Sequence, residues 1–327
     1  MSSKKLTYIK AITEGLDQAL AEDDRTLIFG EDVGKNGGVF RTTQGLQAKY
    51  GEDRVFDTPL AESAILGLSI GLAATGWRPV PEIQFMGFTF EAVDSINAQM
   101  ARNRFRFGGK VAQPITVRTP YGGGTHTAEL HSDNLEHVFT GTPGLRVVTP
   151  SNPYDAKGLI IAAIENNDPV LFMEHLKLYR SVKGDVPEEP YRVALDTAKV
   201  VREGTDVTIV AYGAMVQQAV KAADALAADG IKAEVIDLIS LHPIDTDTVF
   251  ASVDKTHRVV VAQEAQRIAG VGTQVVSAIA EERILSLEAP ILRVAAPDSV
   301  YPFAAAELDW IPNAADIEAK ARETLTY

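Results

Sequence analysis

Apolar residues recur at helical spacing soon after the start of the chain: Ile12, Leu16 and Leu20 follow Thr7 and predict an amphipathic helix that closes near Asp23 and Asp24. The run at 26–29 is apolar without a break and predicts a buried strand. Further strands are predicted at 54–56, 80–84, 114–118, 146–148 and 170–174, with helices at 59–74, 89–104, 132–139 and 153–166. Strand and helix alternate, so the predicted fold class is α/β with a largely parallel sheet covered by helices on both faces. Residues 177–192 are poor in apolar side chains and rich in turn formers and charge, which marks a linker. Beyond it the alternation restarts, with strands at 207–211, 233–238, 259–262 and 291–294 and helices at 216–228, 245–253 and 271–282. Two domains are therefore expected, at 1–190 and 193–327. Ligands of such sheets sit at the carboxyl ends of strands.

One such end carries the stretch around which the chain is organised, Phe56-Asp57-Thr58-Pro59-Leu60-Ala61-Glu62. Thr58 can cap a helix and Pro59 can occupy its first turn, which places Glu62 about one turn in, where free amides favour an acidic group. Leu60 and Ile65 flank it, and a carboxyl kept from water has a raised pKa and can share a proton with a ring nitrogen. A plain surface glutamate at a helix start is the alternative. Gly67 and Gly71 lie on one face of the same helix, and their expected use is close approach of another backbone.

Composition narrows the class. The chain has 327 residues, 46% hydrophobic and 23% charged, enough for substantial cores. With 31 basic and 44 acidic residues the net charge is −13, and no basic block stands out. That argues against nucleic acid and for a basic protein partner. There is no cysteine, which excludes disulfides, thiolate metal sites and cysteine nucleophiles. Neither a secretory h-region nor a membrane-spanning run is expected, so the expected setting is the cytoplasm.

Three other stretches could carry chemistry. Gln84 closes the strand predicted at 80–84 and Phe85 and Phe88 follow, an amide and aromatic rings that could receive a planar ligand or could simply be core. The loop Tyr121-Gly122-Gly123-Gly124-Thr125-His126-Thr127-Ala128-Glu129-Leu130-His131-Ser132 has glycines suited to close backbone approach, and Ser132 as a cap would present His131 at a helix start. His131 could serve as acid, base or electrostatic stabiliser. His126, Glu129 and His131 could instead hold a metal, although their spacing matches no common zinc pattern, and the glycines could cradle a phosphate, although no P-loop or dinucleotide fingerprint is present. Residues 263–272, from strand into helix, form either an anion site or a structural loop.

Taken together, Gly30-Glu31-Asp32-Val33, residues 56–62, Glu82-Ile83-Gln84-Phe85, Leu130-His131-Ser132, residues 155–159 and Ala295-Ala296-Pro297-Asp298 resemble the β subunit of a 2-oxoacid dehydrogenase E1 component, most like the bacterial pyruvate dehydrogenase type. The resemblance implies a transketolase-like fold, with a thiamin diphosphate pyrimidine-binding domain followed by a smaller transketolase C-terminal domain. It implies that Glu62 hydrogen-bonds the aminopyrimidine of thiamin diphosphate, that Gln84 and Phe88 lie beside that ring, and that His131 assists decarboxylation or acyl transfer to the lipoyl group of E2. Relatives of this fold hold the diphosphate and Mg2+ through a Gly-Asp-Gly motif, which this chain lacks. An α subunit is therefore expected to complete the site in an α2β2 heterotetramer. The resemblance also places a monovalent cation, K+, at Ile115, Ala163, Ile164, Asn166 and Asp168, with Asn166 and Asp168 exchanged relative to many relatives. It makes the carboxyl-terminal domain the dock for the E2 binding domain, with Glu288 and the Tyr327 carboxylate as contact points. Glu31 and Asp32 are expected near the subunit interface, where they would help proton traffic. Branched-chain 2-oxoacid or acetoin dehydrogenase β subunits are the alternatives within this chemistry, and a non-catalytic assembly subunit is the alternative outside it.

Overall fold

The computed structural model describes every residue except Met1, Ala128 and Ala269. The described chain divides into two compact units, one made of residues 1–121 and 138–195, the other of residues 122–137 and 196–327.

In the first unit the elements run β1 (Ser3–Thr7), α1 (Tyr8–Glu22), β2 (Thr26–Gly30), α2 (Leu46–Tyr50), β3 (Val55–Asp57), α3 (Glu62–Ala74), β4 (Arg78–Glu82), α4 (Ala101–Arg106) and β5 (Thr116–Tyr121). The chain re-enters the unit within α5 (Glu136–Thr140), at residue 138, and continues with β6 (Arg146–Val148), α6 (Pro153–Glu165), β7 (Val170–His175), α7 (Leu178–Ser181) and β8 (Lys183–Pro187). The strands order β6-β7-β5-β4-β2-β3 and every pairing among them is parallel. Such strands are buried on both faces, and β2, β5 and β7 have no exposed residue. Asn152 caps α6 by accepting from the Asp155 amide at 2.9 Å, and Pro153 fills its first turn. Helices α1 and α6 cross closely at Gly15, where a Cβ would stand 2.3 Å from Ile160 Cγ2. Strand β1, which the hydrophobic pattern did not predict, pairs antiparallel with β8.

Two expectations shift. The strand expected at 80–84 is Arg78–Glu82, so Gln84 lies beyond its end. Pro79 and Pro81 sit inside it at little cost, because β4 pairs with β5 at a single position, Glu82 with Arg118. The helix expected at 89–104 is three pieces: a 3₁₀ stretch over Met86–Ala92, a π stretch over Asp94–Met100, and α4. The Thr89 hydroxyl donates to the Met86 carbonyl and tightens the first of them.

The second unit holds β9 (Lys199–Arg202), β10 (Val207–Ala211), α8 (Met215–Ala228), β11 (Ala233–Asp237), β12 (Ser240–His242), α9 (Thr246–Thr256), β13 (Val259–Gln266), α10 (Val271–Glu282), β14 (Leu292–Ala296), α11 (Glu307–Trp310) and α12 (Ala314–Thr324). Its sheet orders β14-β13-β10-β11-β9, parallel except for the edge strand β9. Asp245 caps α9 through the Thr248 amide. Helix α12 went unpredicted because it is mostly polar and buries only Ile317, Ala321 and Thr324; the Asn313/Asp316 capping box is the signal that marks it.

Candidate active site

At the carboxyl ends of three adjacent parallel strands the first unit gathers acid. Gly30 closes β2 in register with Asp57 of β3 and Glu82 of β4. A Cβ on Gly30 would stand 2.5 Å from the Glu82 carbonyl, so the strands approach that closely only with glycine here. Glu31 follows at once and is 8% exposed, with its Oε1 buried and without a hydrogen-bond partner. Burial first, then the charges of Glu62, Asp32 and Glu82, push its pKa up. Asp57 is occupied otherwise: its Oδ1 accepts from the Gly34 amide at 2.6 Å and pins the loop after β2.

Glu62 is 7% exposed and is the first residue of α3, not one turn in. Ala61 holds the cap position; the Thr58 hydroxyl oxygen makes no hydrogen bond, and its amide donates to the Gly30 carbonyl at 3.0 Å. Leu60 does not shield the carboxylate, being 79% exposed; Ile65, at 2%, is buried. Gly67 and Gly71 do share a face of α3, and a Cβ on either would meet nothing within 4 Å.

Glu82 completes the group. Its Oε2 accepts from Arg118 Nη1 at 2.7 Å, while Arg118 Nε and Nη2 grip Glu174 at 2.7 and 2.9 Å and the Tyr179 hydroxyl donates to Glu174 at 2.7 Å. All four side chains are buried. Burial raises the Glu82 pKa and Arg118 opposes the rise. The sequence reading did not single this column out. Its signal was available: Glu82, Arg118 and Glu174 are acid, base and acid inside three neighbouring strands that are otherwise without Asp, Glu or Lys.

Gln84 and Phe88 are both half-buried in the turn after β4. Phe85 is core, edge-on to Phe40 at 5.5 Å, and Phe88 meets Phe85 edge-on at 5.6 Å, leaving Phe88 the ring at the margin of the cluster. The segment Met86–Ala92 packs on α3, where the Ser63 hydroxyl donates to the Glu91 carbonyl.

His131 belongs to the second unit. It closes a single 3₁₀ turn, Glu129–His131, and no helix begins at Ser132, whose hydroxyl pairs with Thr127 at 2.5 Å; α5 starts only at Glu136. The glycine-rich loop is already filled from its own unit. Gly123 N donates to Glu264 Oε1 at 2.7 Å, Gly124 N to Glu307 Oε2 at 3.2 Å, and His126 N to both Glu307 oxygens at 3.2 and 3.3 Å. Amides spent on internal carboxylates are not a phosphate cradle. The His126 ring faces Glu307 at 3.0 Å, and among the described residues no cluster could hold a metal through His, Asp and Glu side chains. The segment 263–272 is likewise self-filled: Gln263 Oε1 accepts from the Gly272 amide at 2.9 Å and plugs the start of α10, which favours the structural loop over an anion site.

The oxygens assigned to a monovalent cation have other partners. Arg78 Nη1 donates to the carbonyls of Ile164, Glu165 and Asn166 at 3.0, 3.1 and 3.1 Å, and Asp168 pairs with Arg104 at 2.5 Å. The carbonyls of Ile115 and Ala163 accept from the amides of Val170 and Asn166, and Asn166 Nδ2, a donor, is buried without a hydrogen-bond partner. Guanidinium donors already occupy the oxygens of Ile164, Asn166 and Asp168, and backbone amides those of Ile115 and Ala163. The set does not fit a K+ ion as it stands.

Two family descriptions match the chain: the transketolase pyrimidine-binding domain over residues 4–182 and the transketolase C-terminal domain over residues 196–317. The class is thus that of transketolase-like chains, which work with thiamin diphosphate. A solved structure described as a split-gene transketolase, inactive beta4 tetramer, superposes with a TM-score of 0.80 at 27% identity, covering 98% of both chains. The chain is 58% identical over 323 residues to the pyruvate dehydrogenase E1 component subunit beta of Staphylococcus epidermidis and 57% identical to that of Bacillus subtilis, with 99% of each chain covered in both cases. It belongs to the family of pyruvate dehydrogenase E1 component beta subunits.

Proposed function

We propose that this chain supplies the pyrimidine-binding half of a thiamin diphosphate site in a pyruvate dehydrogenase E1 and works only with an α subunit, in an α2β2 heterotetramer. The observation that carries the reading is the placement of Glu62, a carboxylate 7% exposed at the first turn of a helix and close enough in charge to Glu31 to raise its pKa. A carboxyl group fixed at a helix start and shielded from water is placed to hydrogen-bond a ring nitrogen. The unpartnered Glu31 Oε1 is a buried polar atom awaiting a donor, which fits an aminopyrimidine better than an empty core.

When bound, thiamin diphosphate would supply the nucleophilic carbon and the electron sink for 2-oxoacid decarboxylation. Glu62 would anchor the pyrimidine, Gln84 and Phe88 would border it, and His131 would serve acyl transfer to the E2 lipoyl group. The α subunit would hold the diphosphate and Mg2+. A structural relative that is inactive as a tetramer of one half-chain supports the need for a second subunit. The pyrimidine-binding domain would span 1–190 and the C-terminal domain 193–327, the latter receiving the E2 binding domain near Glu288 and Tyr327. Net acidity suits a basic E2 module. No described helix is long and apolar enough to cross a membrane, and we place the complex in the cytoplasm.

Calorimetric titration of thiamin diphosphate with Mg2+ tests this, first into the chain alone and then into the chain with α. Tight binding only in the second case is expected. Tight binding to the chain alone would overturn the split site. Turnover of pyruvate against branched-chain 2-oxoacids and acetoin then fixes the substrate.

A further inference from the structure

The loop that carries His131 interrupts the first unit's sequence, and the amides of its glycine-rich start are held by groups that arrive much later in the chain. Its backbone takes left-handed conformations at Gly122, Gly124 and His126, with φ of 81°, 87° and 59°. That turns the amides of Gly123, Gly124 and His126 into a concavity of donors, the type of nest that binds anions. The anions are the chain's own. Glu264, at the end region of β13, takes Gly123, and the fully buried Glu307, the first residue of α11, takes Gly124 and His126.

Tyr301 locks the same place sterically. Its hydroxyl donates to Glu307, accepts from Gly124 N at 3.2 Å, and would stand 1.9 Å from a Cβ on Gly123. This is why residue 123 is glycine: the tyrosine occupies the volume a side chain would need. Trp310 braces the tyrosine ring edge-on at 4.9 Å. The far end of the loop is fixed as well, by Asn134 Nδ2 donating to Glu264 at 3.2 Å and by the Tyr212 hydroxyl donating to the buried Glu136 at 2.5 Å. His131 lies between the two anchored ends.

We propose that Glu307 and Tyr301 are positioning residues for His131: by filling the amide nest of the glycine-rich loop they set where the histidine stands. The inference rests on the reading of His131 as the group that serves acyl transfer. A carboxylate that accepts several amide hydrogen bonds makes strong, charge-assisted contacts, and an amide side chain of the same size cannot, because it turns an NH2 toward N–H donors. Loss of the nest's anion therefore loosens the loop without altering its sequence.

The test uses the α2β2 holoenzyme carrying Glu307→Gln or Tyr301→Phe, with Gly123→Ala as a third variant that strikes the same contact from the loop side. Hydrogen exchange of residues 122–137 is expected to quicken by roughly tenfold or more, the equivalent of one lost charge-assisted bond. The kcat for acylation of a lipoyl domain should fall by roughly tenfold to a hundredfold, while the KM for the 2-oxoacid and the Kd for thiamin diphosphate hold. Unchanged exchange in all three variants overturns the proposal. So does faster exchange with unchanged kcat, which would make the contacts merely structural. His131→Ala separates the two readings: if it leaves kcat unaltered while Glu307→Gln lowers it, the assignment of the histidine fails and the clamp on the loop stands.

Discussion

Arg118 and Glu82 meet at 2.7 Å in the interior of the first unit, with the guanidinium 0% and the carboxylate 4% exposed. Arg118 is shared with Glu174, so one cation serves two buried acids. Removing it would leave both carboxylates uncompensated in a site that cannot hydrate them. Arg118→Met is expected to cost about 3–5 kcal/mol in stability, far more than loss of a surface pair. Urea unfolding of the variant beside the parent reads this directly, and a change below about 1 kcal/mol would mean that the pair is not the counter-charge it looks to be.

Glu62→Gln keeps the size of the side chain and removes its ability to share a proton. Turnover by the α2β2 enzyme is expected to fall by roughly a hundredfold to ten-thousandfold, the usual contribution of a positioned acid or base. Assembly with α, followed by sedimentation, should persist. Full turnover in the variant would remove Glu62 from the chemistry and leave an assembly role for the chain.

Glu31 gives a pH signature. Its native pKa is raised by burial and by neighbouring acids, so its charged form is what the fold disfavours. Below the unfolded value of about 4.3 the group is protonated in both states and contributes no difference. As pH rises from there through the raised native value, the native protein binds the proton more tightly than the unfolded chain and stability declines. Glu31→Gln has no such decline. The two ligand-free proteins should unfold at equal denaturant near about pH 4, and the variant should be the more stable near about pH 8. A variant that is less stable at the higher pH would contradict the burial account.

Arg78 offers a test of the cation question. With its donors on the carbonyls of Ile164, Glu165 and Asn166, the melting temperature of the parent should be the same in KCl and in choline chloride of equal ionic strength. Arg78→Ala should lose about 1–3 kcal/mol by stranding those oxygens. A rise specific to K+ in the parent would show that the oxygens accept an ion beside the guanidinium.

Local patterning made the frame legible. Parallel strands such as β7, apolar over 170–173, and β10, of which only Thr208 is polar, stand out as buried, and α1, α6 and α9 carry periodicity or caps that announce them. Glu62 was legible too, although its position relative to the helix start was not. The Thr58 amide closes onto the Gly30 carbonyl across the β2–β3 strand ends, a tertiary contact that fixes Thr58 ahead of the cap position, which Ala61 takes, and leaves its Oγ1 without a hydrogen-bond partner. The clamp on the glycine loop was beyond reach for the same kind of reason. Three glycines beside a histidine look like a ligand cradle, and only the fold discloses that Glu307, 183 residues from Gly124 along the chain, fills it.

That separation matters while the chain is being made. At roughly 5–20 residues per second, on the order of ten to forty seconds pass between synthesis of Gly124 and arrival of Glu307. Throughout that interval a ribosome-bound nascent chain carries a loop whose Gly124 and His126 amides lack the carboxylate that receives them. A fragment ending at the linker would stay in that condition permanently, so the amino-terminal half should be a poor candidate for expression alone, and chaperone contact during translation should concentrate on this segment until the last helices emerge.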